Sequence, residues 1–183
     1  MALIETNDGL WFQEDLYPEI ACGFKVSTVL HRERSAVQDI LILDTPALGK
    51  VLVLDGIVQC AQKDEAIYHE LLAHSGVLLR QTVAPTEGGQ RVLVVGGGAG
   101  GIARECLKHA GVARVTVVEI DPRVAPAGAE IRDFFEYPLS EQFDTIIGNP
   151  PYVRFQDVAV DTRKRLKSEL FDKRSNLFLF FIE

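Results

Sequence analysis

The segment from Arg91 to Gly101, RVLVVGGGAGG, constrains the fold of this chain more than any other stretch. It begins with an apolar run to Val95 that is rich in β-branched residues, the pattern of a buried parallel strand. Glycines then interrupt the run, and residues 102–109 have the composition of a helix. The order of strand, glycine-rich turn and helix predicts the first half of a β-α-β unit.

A second apolar run, residues 114–120, predicts the strand that completes this unit. Glu119 stands at its tip, about twenty residues after the glycines, and Asp121 follows it. Glycines let the backbone approach a ligand, and a carboxylate at the strand tip can bind both hydroxyls of a ribose. The pattern favours a nucleoside-containing cofactor. The alternative is a tight strand-to-helix turn that binds nothing.

Composition limits the remaining choices. The chain has 183 residues, of which 47% are hydrophobic, enough for one core or for one domain with a small appendage. Its net charge of −7 argues against a nucleic-acid binder, because phosphate contacts need a basic face. No segment is long and apolar enough to predict a membrane span, so no membrane partner is expected.

Neither the cysteines nor the histidines show a spacing typical of metal ligands. The residues are Cys22, Cys60, Cys106, His31, His69, His74 and His109. Widely spaced cysteines, odd in number, predict reduced thiols in a cytoplasmic protein with no metal site.

Residues 1–62 predict a small antiparallel β domain. Strands are expected at 37–43, 50–54 and 57–60, with a tight turn at Asp55-Gly56 between the last two. This sheet is too thin to stand far from its neighbours.

A helix is expected from residue 63 to about residue 79, followed by a linker at 81–90 that contains Pro85, Gly88 and Gly89. The helix places four apolar residues at helical spacing, and we expect them in the core. They are Ile67, Leu71, Leu72 and Leu78. The expected organisation is therefore a β domain at 1–62, a connecting helix and linker at 63–90, and an α/β domain at 91–183.

The last third of the chain predicts further elements. A short strand is expected at 129–132 and a longer one at 142–148, which ends at the sequence Asn-Pro-Pro-Tyr (149–152). Residues 160–171 predict a basic amphipathic helix, for which a solvated face is favoured over a phosphate contact. Residues 176–183 predict the start of another helix.

Several motifs, in order and with matching spacing, make residues 11–122 similar to the spermidine synthases, the polyamine aminopropyltransferases. The motifs are SAVQDI (35–40), VLDGIVQ (53–59), DEAIYHE (64–70), His74, GGGAGG (96–101), Arg104-Glu105 and VEID (118–121). The resemblance implies a small N-terminal β domain used in oligomerisation, as homodimer or homotetramer, ahead of a Rossmann-like transferase domain. It also implies aminopropyl transfer from decarboxylated S-adenosylmethionine to putrescine or another polyamine.

The resemblance implies roles for individual residues. The glycine-rich loop, with Gly96 and Gly98, would hold the cofactor, and Gln38 and Glu119 would contact its nucleoside, Glu119 through the ribose. The polyamine pocket would be lined by His69, together with Tyr68 and Gln59. For His69 and Tyr68 the alternative is simple packing against the sheet, and for Gln59 a surface hydrogen bond.

Residues 129–183 resemble a second family, the N6-adenine DNA methyltransferases. The similarity rests on FDTIIGNPPYVRF (143–155), on SNLFLFFIE (175–183), and on Asp133 and Phe134, which resemble that family's contact to the cofactor adenine. It implies that the Asn149 side-chain oxygen and the Pro150 carbonyl accept hydrogen bonds from an exocyclic amine, and that Tyr152 stacks on a flipped base. The alternative is an ordinary Pro-Pro turn after a strand.

The two resemblances place their active-site loops at the same point, the end of the fourth strand. An aminopropyltransferase presents an acid there to take up a proton from the attacking amine. Asn149 cannot do so, and Ala99 stands where that family's loop carries an Asp. Against the methyltransferase interpretation, the chain has no target-recognition domain and its net charge is wrong for DNA.

The junction between the resemblances lies at 122–129. Both families need a helix and a third strand after Asp121, but Pro122, Pro126 and Gly128 disfavour a helix there. We infer a hybrid or rearranged reading frame, joined at 122–129 and truncated at 183 without its C-terminal strands.

The fold class expected is α/β: a small N-terminal antiparallel β domain followed by a truncated Rossmann-like, S-adenosylmethionine-dependent transferase domain. The function expected is that of an impaired aminopropyltransferase without a metal. The alternatives are methyl transfer from S-adenosylmethionine to adenine N6, with DNA as partner, and a non-enzymatic remnant.

Overall fold

A computed structural model of the protein describes residues 2–17, 19–138 and 140–149. The chain divides into two compact units, Met1–Leu72 and Ala73–Glu183. The helices expected at 160–171 and 176–183 lie outside the described residues, as do Pro150 and Tyr152. In the part of the chain that is described, no helix is long and apolar enough to cross a membrane.

The first unit contains two antiparallel sheets, where the sequence predicted one. The strands of the first sheet are β1 (Ala2–Thr6), β2 (Gly9–Tyr17) and β3 (Ile20–Val26), in that order. Those of the second sheet are β4 (Thr28–Arg34), β5 (Asp39–Thr45), β6 (Gly49–Leu54) and β7 (Ile57–Ala61). The three strands expected at 37–60 are thus β5 to β7, and the predicted turn joins the last two. Asp55 and Gly56 have φ of 48° and 84°, as a two-residue hairpin turn with positive φ at both positions requires.

One apolar core holds the two sheets together. Phe12 of β2 is fully buried, and its ring lies 5.2 Å from that of Phe24 in β3. The second sheet contributes its alternate, inward-facing residues to the same cluster: Leu41, Leu43, Val51, Val53 and Ala61. A hydrogen bond from the Val58 amide to Glu14 Oε1, 2.9 Å long, also joins the sheets. The two packed sheets bury an apolar core that a single thin sheet could not enclose.

Helix α1 (Glu65–Val83) runs four residues beyond the predicted end into the expected linker, and its buried face differs from the prediction. Its buried residues are His69, Ala73 and Val77, each one helical turn after the last. By contrast, Ile67, Leu71 and Leu78 are 66%, 64% and 50% exposed, so their prediction as core residues was wrong. Within the second unit, a Cβ at Gly76 would lie 3.2 Å from Thr145 Cγ2. Small residues let this face approach the sheet, so it is buried in preference to the more apolar face.

The second unit contains a parallel sheet. Its elements are β8 (Gln90–Val95), α2 (Gly101–Cys106), β9 (Val112–Glu119), β10 (Glu130–Ile131), a 3-10 helix (Phe134–Glu136) and β11 (Thr145–Gly148). The strand order is β10-β9-β8-β11, all neighbours parallel. The buried residues Val92, Leu93, Val94 and Val118 make the two central strands apolar, as the sequence predicted. The α/β fold class is confirmed.

The chain between β9 and β10 contains no helix in residues 120–129, all of which are described. The amides of Val124 and Ala125 both donate to the carbonyl of Asp121, each at 3.2 Å, which makes a turn. Pro122 and Pro126 flank this turn and disfavour helix, which agrees with the sequence prediction.

Candidate functional site

The carboxyl ends of the four parallel strands carry most of the predicted site residues of the second unit. Gly96 follows β8, Glu119 ends β9, Asp133 lies two residues after β10, and Asn149 follows β11. In parallel sheets the carboxyl ends lie at one edge, and ligands of such folds bind outside that edge. The backbone amide of Arg132 donates to the carbonyl of Glu119 at 2.9 Å, which joins the β9 and β10 ends directly.

The glycine-rich loop folds into a tight turn between β8 and α2. Gly96 and Gly100 have φ of 68° and 72°, the left-handed region that favours glycine. The Gly96 amide donates to the Val118 carbonyl at 2.9 Å, and the Gly100 amide donates to the Gly97 carbonyl at 2.7 Å. A Cβ at Gly97 would lie only 2.7 Å from Val94 Cγ1, so the loop has no room for a side chain there.

Glu119 is 7% exposed, although it is a carboxylate at a strand tip. Its Oε1 accepts two hydrogen bonds from the backbone that follows, from Ile120 at 2.9 Å and from Asp121 at 3.1 Å. Its Oε2 faces the loop, since it would lie 3.3 Å from a Cβ built on Gly98. The bonds to one oxygen hold the carboxylate in a single orientation, toward the glycine loop.

Asp133 and Phe134 lie at the β10 end. Asp133 caps the 3-10 helix, because its Oδ1 accepts a hydrogen bond from the Phe135 amide at 3.0 Å. The half-buried rings of Phe134 and Phe135 contact each other edge to face at 5.9 Å. This places an acid and an aromatic ring beside the strand that carries Glu119.

Asn149 is exposed at the end of β11, next to β8 in the sheet. Ala99 is exposed in the glycine-rich loop. Pro150 and Tyr152, predicted to act with Asn149, lie outside the described residues.

The first-unit residues that were predicted to contact the polyamine or the nucleoside lie in local environments that differ from one another. The backbone amide of Gln38 donates to Ser35 Oγ at 2.9 Å, which fixes the backbone in a turn before β5. Gln59 Nε2 donates to the Ile57 carbonyl at 3.2 Å on the exposed side of β7. His69 is 5% exposed, and Tyr68, 39% exposed, contacts the His69 ring edge to face.

The sequence reasoning missed Glu65. His69 Nδ1 and Glu65 Oε2 lie 2.8 Å apart in a hydrogen bond across one helical turn. The signal available in the sequence was their spacing of i and i+4 at the start of a predicted helix.

It also missed a polar cluster in the second unit. His74 Nδ1 and His109 Nε2 share a hydrogen bond of 2.8 Å, and His74 Nε2 lies 3.7 Å from the buried Glu105. Hydrogen bonds from Lys108 and then Arg104 lower the pKa of the Glu105 carboxyl. Burial, and then the neighbouring His74, lower the pKa of His109. The cluster joins α1 to the end of α2.

Two family models cover most of this arrangement. Residues 10–62 match the spermidine synthase tetramerisation domain, and residues 65–130 match the spermine/spermidine synthase domain. Residues 10–130 belong to the spermidine synthase family. The resemblance inferred from the motifs is thereby confirmed.

Curated members of the spermidine synthase family are similar to this chain over part of their length. The polyamine aminopropyltransferase of Moorella thermoacetica is 41% identical over 122 residues, which are 67% of this chain and 41% of the relative. The thermospermine synthase ACAULIS5 of Arabidopsis thaliana is 35% identical over 166 residues, 91% of this chain and 44% of the relative. The chain therefore spans less than half the length of these relatives.

Solved structures of spermidine synthases have the same fold. A spermidine synthase in complex with the transition-state analogue AdoDATO is 36% identical, with a TM-score of 0.57 over 68% of this chain and 40% of that one. The spermidine synthase of Thermotoga maritima is 35% identical, also with a TM-score of 0.57, over 68% and 42% of the two chains.

The end of the chain is similar to a different family. Residues 123–183 match the Eco57I restriction-modification methylase model, which overlaps the spermidine synthase match at 123–130. The resemblance of this part to methylases is confirmed. The inferred junction at 122–129 remains a prediction, as do the domain limits of 62 and 90.

Proposed function

We propose that the carboxyl edge of the parallel sheet binds the nucleoside of decarboxylated S-adenosylmethionine, as part of an aminopropyltransferase site that acts on putrescine or another polyamine. The observation that supports this most directly is the Glu119 carboxylate, pinned by two backbone amides and turned toward Gly98. A fixed carboxylate can accept hydrogen bonds from both ribose hydroxyls, and a glycine in front of it leaves room for the sugar.

The remaining cofactor contacts follow from their positions. The loop at Gly96 to Gly98 lets backbone come close to the ligand, and Asp133 and Phe134 stand beside β9, where the adenine would lie. Gln38 is proposed as a further contact to the nucleoside. When bound, decarboxylated S-adenosylmethionine supplies an aminopropyl group on a sulfonium, a good leaving group.

An ammonium must lose a proton before it can attack the carbon next to the sulfonium. The polyamine contacts proposed in the first unit are Gln59, Tyr68 and His69. The paired Glu65 carboxylate orients the His69 ring. At the β11 end, Asn149 offers an amide where a carboxylate would take up the proton, and exposed Ala99 offers no charge for the amine. We therefore propose weak or absent turnover for this chain.

We further propose self-association as a homodimer or homotetramer through the first unit, supported by the tetramerisation-domain match at 10–62. None of the three cysteines is in a disulfide, which suits the cytoplasm as the proposed location.

Calorimetric titration tests the proposed cofactor. Decarboxylated S-adenosylmethionine should bind more tightly than S-adenosylmethionine. Glu119→Gln should lower the affinity for decarboxylated S-adenosylmethionine by roughly tenfold or more, since hydrogen bonds to a charged group contribute about 1.5–3 kcal/mol. Glu130→Gln, on the neighbouring strand, is the matched control and should bind as the wild type does. Equal binding by Glu119→Gln, or absence of binding by folded wild-type protein, would reject the proposal. The latter result would favour a non-enzymatic remnant.

A second candidate function is methyl transfer from S-adenosylmethionine to adenine N6 in DNA. The methylase match at 123–183 favours it, together with the exposed position of Asn149 at the carboxyl edge. Incorporation of labelled methyl groups into DNA, lost in Asn149→Ala, would support it. Folded protein that labels no DNA would eliminate it.

A further inference from the structure

Three side chains from two neighbouring elements of the first unit meet at the start of α1. Cys60 lies near the end of β7, Glu65 is the first residue of α1, and His69 follows one turn later. One ligand atom from each residue lies within 4.8 Å of the other two. Glu65 and His69 lie one helical turn apart on α1, and the turn between β7 and α1 brings Cys60 to them.

We infer that Cys60, Glu65 and His69 form a binding site for a zinc-type divalent cation. Thiolate, imidazole and carboxylate are the three donor types that Zn²⁺ takes in proteins. Three protein ligands leave a fourth position open to water or another small ligand.

The geometry requires little movement. Zn²⁺ binds sulfur at about 2.3 Å and nitrogen or oxygen at about 2.0–2.2 Å, so ligand atoms on one tetrahedral ion lie roughly 3.3–3.8 Å apart. His69 Nδ1 and Glu65 Oε2 are 2.8 Å apart with a proton between them, and a cation in the place of that proton would widen the pair slightly. Cys60 and Glu65 are partly exposed, so rotation of their side chains can bring the sulfur and oxygen inward.

Burial distinguishes this cluster from an ordinary surface group. His69 is 5% exposed, so its ring is fixed by packing and by the contact with Tyr68. A ligand that is already held in place loses less side-chain entropy when it binds an ion.

Binding must release a proton, because the thiol binds metal as thiolate. Affinity should therefore rise with pH. The site shares His69 and Glu65 with the proposed polyamine contacts, but its test measures metal occupancy and not turnover, so the two proposals can fail separately.

The test is titration of the full chain with Zn²⁺ and, separately, with Co²⁺ as a spectroscopic substitute. We expect one Zn²⁺ per chain, and a thiolate-to-cobalt charge-transfer band in the near ultraviolet. Cys60→Ser should abolish the band, and Cys60→Ser, Glu65→Gln and His69→Ala should each weaken Zn²⁺ binding by roughly tenfold or more. Cys22→Ser is the matched cysteine control. His31→Ala is the matched histidine control, since His31 also pairs with a glutamate, Glu33, at 3.1 Å.

A second measurement does not depend on any variant folding. Zn²⁺ should protect Cys60 of the wild type from alkylation, read by mass spectrometry, while Cys22 stays reactive. Absence of the charge-transfer band, unchanged binding in Cys60→Ser, equal losses in the two controls, or unprotected Cys60 at saturating Zn²⁺ would each overturn the inference.

Discussion

Gly98 and Glu119 face each other across the carboxyl edge of the parallel sheet, so closely that a Cβ at Gly98 would lie 3.3 Å from Glu119 Oε2. The same Cβ would lie 3.1 Å from Val124 Cγ2. Gly98 is not among the residues with positive φ, so alanine can adopt its backbone. The effect of a side chain at this position is therefore steric.

Gly98→Ala should weaken binding of decarboxylated S-adenosylmethionine by about 1 kcal/mol, roughly fivefold, because the methyl group displaces the Glu119 carboxylate from its proposed ribose contact. Calorimetry measures the affinity, and thermal denaturation should show a folded variant. Gly97→Ala is the contrast. Its Cβ would lie 2.7 Å from Val94 Cγ1, so it should lower the melting temperature. Unchanged affinity in Gly98→Ala would show that the sugar does not lie here.

Restoring acids should raise aminopropyl transfer. Asn149→Asp, alone and with Ala99→Asp, should increase the rate of spermidine formation by roughly tenfold or more, because a carboxylate can take up the proton of the attacking ammonium. Asn149→Ala is the control and should give no gain. Wild-type turnover near that of an ordinary aminopropyltransferase would contradict the proposed impairment.

Asp144 should stabilise the second unit. Its Oδ2 accepts from the Arg91 amide at 2.8 Å, and its Oδ1 accepts from Arg80 at 3.1 Å and from Thr86 at 3.0 Å. The Arg91 amide first, and then Arg80 and Thr86, lower the pKa of this carboxyl. Asp144→Asn should lower the free energy of unfolding by about 1–2 kcal/mol. Asp8→Asn, whose side chain is 81% exposed beside Lys25, should change it by about 0.5 kcal/mol or less.

The lowered pKa of Asp144 makes the stability of the fold depend on pH in acid. Asp144 stabilises the fold fully above the ordinary aspartate pKa of 3.8, and this contribution is lost as pH falls through its lower folded value. Denaturant titrations across this range should show a smaller acid loss for Asp144→Asn than for the wild type. Parallel curves would exclude a charged Asp144 as the cause.

His109 should make the fold sensitive to milder acid. The pKa of His109 is below the ordinary histidine value of 6.5. As pH falls below 6.5, the unfolded chain therefore binds a proton before the folded chain does. Stability should then fall as pH drops. The charged groups that face the pair are Glu105, whose Oε2 lies 3.7 Å from His74 Nε2, and the Lys108 and Arg104 that bind Glu105.

The measurement is the melting temperature between about pH 7.5 and about pH 5.5. The melting temperature of the wild type should fall by more over this range than that of His109→Asn. His31→Asn, on an exposed strand position of the first unit, is the control and should behave as wild type. An equal loss in His109→Asn would locate the sensitivity elsewhere.

The two faces of α1 should differ in stability. Val77 is fully buried, whereas Leu79 is 66% exposed. Val77→Ala should cost about 2 kcal/mol through lost burial and the cavity left behind, while Leu79→Ala should cost about 0.5 kcal/mol or less. Denaturant unfolding measures both. A larger loss at Leu79 would mean that the exposed face is covered in solution.

Local pattern accounts well for the strands and for the glycine loop. Apolar runs of β-branched residues marked β8 and β9, and Asp55-Gly56 marked a hairpin, because these signals act over a few neighbouring residues. The spacing of apolar residues did not predict which face of α1 is buried. Its more apolar residues pointed to one face, yet the face that is buried carries Ala73, Gly76 and Val77. Which face packs depends on close approach to a sheet, which helical spacing does not contain.

The glycine loop and the acid after it were determined by the sequence alone, since their order along the chain implies a nucleoside site in a β-α-β unit. Tertiary structure decided how that site is built: backbone amides fix the Glu119 carboxylate, and a missing Cβ at Gly98 leaves space in front of it. It also brought Cys60 to the Glu65–His69 pair. The approach of Gly98 to Glu119 joins residues that are distant in the chain, and the approach of Cys60 to the pair depends on the turn between β7 and α1. Distances of both kinds arise only when strands and helices pack.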